Sequence, residues 1–307
     1  MRRAAVLVAA AAFAAAPAAR ADGTESNAIA ATANRVWVAA GASVVELDAT
    51  TGRRLFRVGL RYPYALSLGL SDGNVWATSV TNGFGSGALS RIPFDGSRAA
   101  TVLAGRRPPF DLAVAARATW ALVGPWRALA LARVDHVSLR VAWFPLATPL
   151  AWLAGDYSGR LPDLVAVTRA GRLVRVDDAA RLHPLSRVRA TARPALAFGT
   201  VWTPTRRGLA AVDAGRARIR GRAPVAKVVA VVAGGGAVWA LAANGRSLAR
   251  VEPRTLGVTA RVRLPARVAA LAYGNGAVWL ATVGSPVRVL RLDPRSKRLS
   301  VFARLVR

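Results

Sequence analysis

The chain has 307 residues, 53% of them hydrophobic, a formal charge of +29 and no cysteine. That apolar content excludes a largely disordered chain and supports a sizeable core. The missing cysteine excludes disulfides, thiol catalysis and a cysteine-linked lipid anchor, so packing alone must hold the fold.

Arg2 and Arg3 open a short positive segment, Ala4 to Pro17 is apolar, and Ala19-Arg20-Ala21 gives a small-x-small pattern before Asp22. Residues 1–21 are expected to be a secretory signal peptide, residues 22–27 a flexible start and residues 28–307 the folded domain. The apolar run is shorter than the roughly 20 residues that span a bilayer, and arginine interrupts every later run. The expected location is therefore extracytoplasmic, secreted or in the cell envelope. Loss of Arg2, Arg3 and Arg20 would lower the charge by three, to +26.

Three marks then recur along the chain. A residue followed by Trp appears in Val36-Trp37, Val75-Trp76, Thr119-Trp120, Val201-Trp202, Val238-Trp239 and Val278-Trp279. Leu164 to Val167 fills one vacant slot without a Trp; with Ala166 in that slot the intervals are 39, 44, 46, 36, 37 and 40 residues. After each comes an acidic residue on an apolar one: Leu47-Asp48, Phe94-Asp95, Val134-Asp135, Val176-Asp177, Val212-Asp213, Val251-Glu252 and Leu292-Asp293. Between units stand Pro63, Pro109, Pro149, Pro194, Pro224 and Pro265. A period near 40 with four short strands per unit describes a propeller blade. In the last unit the strands are expected at Val268 to Tyr273, Ala277 to Thr282, Val287 to Leu292 and Leu299 to Leu305, with turn residues Gly274-Asn275-Gly276 and Gly284-Ser285-Pro286 between them. The predicted fold is all-β, a seven-bladed β-propeller of four-stranded antiparallel blades. Ala28 to Thr32 already reads as a first strand, so the ring should close without strand exchange.

The pattern P-x-h-x-h…G-x-A-V-W-h-A…G-x-h-x-R-h-D-P, clearest over Gly274 to Pro294, resembles the YVTN, NHL and streptogramin-lyase-like propeller repeats of bacterial secreted proteins. The resemblance implies a fold and leaves function open, because such repeats serve enzymes, sensors and adhesive modules alike. One unit also resembles an FG-GAP-type blade: Ala154 to Leu164 places Asp156, Ser158 and Asp163 like ligands of a calcium loop. Arg160 stands where an acidic ligand is expected and the loop is one residue short, so a site needing six or more oxygens reads as degenerate and unoccupied.

The recurrent Trp is expected to fill the wedge between blades, and the recurrent acid to accept backbone N–H bonds in a turn. His136 and His183, the only histidines, follow turn aspartates and read as surface residues. A lyase or hydrolase of the streptogramin-lyase type would, by that resemblance, gather His and acidic residues around a divalent metal near the central channel. The first strands offer only Asp111, Lys227 and Arg267, so no catalytic residue, metal or cofactor is assigned.

The expected function is binding, to an anionic envelope polymer, a lipid surface or another protein; the alternatives are that metal-dependent enzyme and a structural module of an envelope complex. A monomer without specific nucleic-acid binding is expected. Arginines at period two, Arg187 and Arg189, Arg218 and Arg220, Arg261 and Arg263, would line exposed blade edges. They serve equally to block edge pairing and to attract polyanions. Ligand contact is expected on the face that carries the junctions between blades, at blades two to four. There the loop around Phe84 is long, Gly124-Pro125-Trp126-Arg127 follows in the next blade, and Tyr64, Arg107, Phe110 and Asp111 lie in the junctions. Tyr64, Phe84, Arg107, Phe110, Asp111, Trp126, Arg127 and Arg267 are the candidate ligand-binding residues.

Overall fold

The computed structural model describes residues 28–71, 73–124, 129–156 and 164–306. These form 28 strands, β1 to β28 in chain order, in seven sheets of four consecutive antiparallel strands. The innermost strands are β1 (Ile29–Ala31), β5 (Tyr64–Ser71), β9 (Pro109–Val114), β13 (Leu150–Gly155), β17 (Ala195–Ala197), β21 (Val228–Gly234) and β25 (Val268–Gly274). Each lies beside the next round the ring, and β1 also lies beside β25. The molecule is a seven-bladed β-propeller. Its first sheet is β1 to β4 and its last β25 to β28, so among the described residues no strand crosses the seam.

The burial of each strand follows its place in the blade. Second strands are sandwiched between neighbouring blades and read as unbroken apolar runs, as in Ala237–Ala242 (AVWALA) and Ala277–Thr282 (AVWLAT). Fourth strands have one free edge and are the most exposed; β24 (Val258–Arg263, VTARVR) alternates and turns Thr259, Arg261 and Arg263 outward.

Each recurrent second-strand Trp fills the wedge toward the next blade. Trp37 packs with Val75 and Ile92 of blade 2, Trp202 with Val228 and Val238 of blade 6, and Trp239 with Val278 and Leu280 of blade 7. At the seam Trp279 shares a core with Ile29, Val36 and Val38 of blade 1. A Cβ on Gly274 would lie 2.5 Å from the Thr32 carbonyl oxygen, so only glycine lets β25 approach β1 this closely. Asn275 Nδ2 adds a 3.2 Å bond to the Ala49 carbonyl across the same seam.

Two marks shift against the sequence reading. The Trp faces the residue two before the turn acid across the hairpin, as Trp120 faces Arg133. In blade 4 that partner, Arg175, faces Val165, so Val165 rather than Ala166 occupies the slot. In blade 2 Pro93 faces Asn74 where the acid should stand, and Asp95 sits two residues later.

Candidate functional site

The geometry of a four-stranded meander puts each second-to-third loop at the end of the blade where the chain enters from the previous blade. Contacts at this junction end are close. Gly124 N donates to the Pro108 carbonyl at 3.2 Å, and Val283 N to that of Arg267 at 2.8 Å. A Cβ on Gly87 would meet Pro108 and Pro109 at 2.8 Å.

The structure brings together two of the expected ligand-binding residues. The Phe84 and Phe110 rings lie 5.8 Å apart at 41°. Phe84 holds a left-handed φ of 58° directly after Gly83 at 75°, an uncommon conformation for a bulky residue. Tyr64 begins the neighbouring β5 opposite Val80, half-buried, and Arg107 is exposed in the junction before β9. Arg267 is exposed in the junction between blades 6 and 7 and so stands apart from this sector. Trp126 and Arg127 lie outside the described residues, as do Ser158 and Asp163 of the degenerate calcium loop and residues 1–27. Asp156 of that loop follows β13 and is 9% exposed.

Asp111 has a different setting from the aromatics. It is 2% exposed and lies in a network that spans four blades. Ser67 Oγ of blade 2 donates to Oδ1 at 3.0 Å, and Leu153 N of blade 4 donates to Oδ2 at 2.9 Å. Arg193, in the junction leading to blade 5, pairs with the carboxylate and also donates to the Leu112 carbonyl at 3.2 Å. A buried carboxylate is tolerable only with such partners. Register-equivalent positions of blades 6 and 7 are Ala230 and Ala270. Arg193 carries none of the repeat marks, which is why the sequence did not single it out. The signal was indirect: one acid among apolar first strands requires a cation nearby.

The recurrent acids sit at the opposite end of the blades, in the third-to-fourth turns. Asp48 Oδ1 accepts from Thr51 N at 2.7 Å, Asp213 Oδ1 from Arg216 N at 2.8 Å and Asp293 Oδ1 from Arg295 N at 2.7 Å. These bonds stabilise the charged form and hold the carboxyls of Asp48, Asp213 and Asp293 below the ordinary range. Asp95, Asp135 and Asp177 are lowered too, through Ser97, Ser138 and His183 respectively. The two histidines are half-buried: His183 Nε2 lies 2.9 Å from Asp177 Oδ2, and the His136 ring stacks on Trp76 of the neighbouring blade. Glu46 departs from the turn pattern. It is fully buried beside Trp37, whose Nε1 donates to it at 2.8 Å, and pairs with Arg35. Burial pushes its carboxyl up, against the pull of Trp37 and Arg35.

The two ends therefore differ in charge. Among the described residues, Asp111 is the one acid in the junctions, the loops beside them or the strand starts they feed, and Arg193 neutralises it. Exposed cations surround it. Arg61 and Arg106–Arg107 occupy the first two junctions, Arg169 the loop of blade 4 and Arg206–Arg207 that of blade 5. Lys227, Arg246 and Arg267 continue through blades 6 and 7. The outer edges are basic in part: Arg187 and Arg189, Arg218 and Arg220, and Arg261 and Arg263 are all exposed as the period-two pattern requires. The edges of blades 2 and 3, β8 (Ala100–Gly105) and β12 (Val141–Pro145), carry no charge, and Trp143 on β12 is 44% exposed.

Among the described residues no three His, Asp or Glu side chains gather as metal ligands, and no helix is long and apolar enough to cross a membrane. No protein-family model matches the sequence, and no curated protein does. Solved structures share the architecture. Dihydro-heme d1 dehydrogenase NirN, solved in complex with DHE, matches with a TM-score of 0.62 at 12% identity over 92% of this chain. This chain spans 66% of NirN. The computationally designed Ika8 protein matches with a TM-score of 0.60 at 14% identity, over 90% of this chain and 85% of its own. BamB from Moraxella catarrhalis gives 0.53 at 16% identity, over 84% of this chain and 82% of its own. At such identities the likeness establishes the propeller fold alone.

Proposed function

We propose that the chain is an exported binding module that holds an anionic partner against its junction end, with residues 1–21 as the export signal. The observation that carries this reading is the segregation of the acids to one end. The turn acids all project from one end, while the exposed charged side chains described in the junctions and their adjoining loops are Arg or Lys. A face of one sign raises the local concentration of an oppositely charged partner and steers its approach. The lyase-type alternative gains no base from the first strands, where the Asp111 carboxylate is committed to Ser67, Leu153 and Arg193. A protein partner is the second reading. It is favoured by the Phe84–Phe110 pair, where an unusual backbone conformation presents an aromatic beside Arg106 and Arg107.

The test is retention on heparin against a neutral matrix. Elution from heparin is expected to require salt well above physiological strength, where the Debye length falls below about 8 Å. Equal retention on the neutral matrix would refute the charge reading.

A further inference from the structure

We propose that the anionic partner is the surface of a lipid bilayer, onto which the ring docks flat with its junction end down. This rests on the binding reading above and assigns its partner. The shape of the basic surface suits a bilayer. Arg61, Arg107, Arg169, Arg207, Lys227 and Arg267 fall one to each of blades 2 to 7, in a junction or its adjoining loop, so the exposed cations spread over a disc and follow no track. A linear polymer can lie along only a few such positions at once. A plane of headgroups meets all of them, each adding its own attraction within a Debye length of the surface.

Two further features fit a bilayer. Aromatic side chains of the kind that settle at the headgroup level stand among the cations. Tyr62 lies under the Arg61 guanidinium at 5.8 Å, and Phe84 stands in the loop of blade 2; both are partly exposed. In the turns of the opposite end the carboxylates, lowered in pKa and so charged at neutral pH, stand among exposed arginines such as Arg53, Arg98 and Arg216 and offset their attraction to the same surface. Charge thus gives the docked ring one orientation.

The experiment uses vesicles of phosphatidylcholine alone and with 30% phosphatidylglycerol as the probes, at physiological salt. The protein should sediment with the anionic vesicles and not with the neutral ones. R107E and R207E, on different blades, should each weaken binding by roughly 25-fold, from about fivefold for each unit of charge. R53E and R98E, in turns of the opposite end, should change it by less than about threefold. Because the chain has no cysteine, a single one can carry a polarity-sensitive dye. At F84C the dye should shift to the blue on anionic vesicles; at V137C, in the opposite turn of blade 3, it should not. Thermal melts of each variant confirm that it is folded before binding is read. Strong binding to heparin without binding to the anionic vesicles would overturn the bilayer assignment and leave the polyanion reading standing. Failure of both would sink the two together. Equal loss from substitutions at the two ends, or a blue shift at position 137, would overturn the orientation.

Discussion

Asp111 and Arg193 do the work of a fastener. The pair lies where four blades meet, and the carboxylate is 3% exposed against 38% for the guanidinium. Removing one partner of a buried pair typically costs about 3–5 kcal/mol, and the partial exposure of Arg193 places R193M at about 2–3 kcal/mol. Urea unfolding should show this as a lower midpoint at unchanged slope. D111A/R193A should lose less than the sum of the single losses, because no buried charge is then stranded. Additive losses would mean that the two residues do not act as a pair.

Acid should act on the turns first. For Asp48, Asp95, Asp135, Asp177, Asp213 and Asp293 the folded pKa lies below the ordinary 3.8. Each therefore contributes stability that is fully present above its unfolded pKa and is lost as pH falls through the folded one. Glu46 has the opposite sign: raised above 4.5, it binds its proton more tightly when folded, and burial of the charge costs stability at neutral pH. The melting temperature should fall below about pH 4. E46Q, which keeps an acceptor for Trp37 Nε1, should melt no lower than the parent at pH 7. A markedly lower melt for E46Q would show that the Arg35 pair outweighs the burial.

At the scale of the strand and the blade, the Trp wedge carries the stability. Trp202, Trp239 and Trp279 are each 0% exposed, and replacing any one with Ala leaves a void between blades worth about 3–5 kcal/mol. W143A, on the outer edge of blade 3, should stay within about 0.5 kcal/mol. Denaturant titration distinguishes the two classes, and equal losses would contradict the assignment of the wedge. G274V should also destabilise, since its Cβ would meet the Thr32 carbonyl at 2.5 Å.

This is also the scale at which the sequence was most legible. In the last blade three strands match residue for residue, and β25 runs one residue past its expected end. Short apolar strands there are separated by Gly274-Asn275-Gly276, Gly284-Ser285-Pro286 and Asp293-Pro294, so pattern and punctuation agree. Legibility failed where a mark lost its residue type. Val165 holds its slot with no indole to flag it, and Pro93 displaces an aspartate by two residues without breaking the turn. The site was less readable. Phe84 and Phe110 could be placed on one face from loop length and junction position, whereas Arg193 meets Asp111 from 82 positions further along the chain. Only the closed ring brings such residues together.

For the whole molecule, closure and charge are the two consequences of the repeat. Consecutive strands complete every sheet, so the seam is held by packing of Trp279 and Phe302 against Ile29 and Val36 rather than by a shared ladder. Placing an acid in the third-to-fourth turn of each unit offsets the arginines of that end of the disc and leaves the junction end basic. A chain of net charge +29 would attract polyanions anywhere on its surface if its charges were evenly mixed. The account instead requires the attraction to be one-sided. The measurement that decides this is the salt concentration at which heparin releases two double variants, R206E/R207E at the junction end and R53E/R98E at the turn end. A large fall is expected for the first pair and little change for the second. Equal falls would contradict it, because net charge alone would then explain the binding.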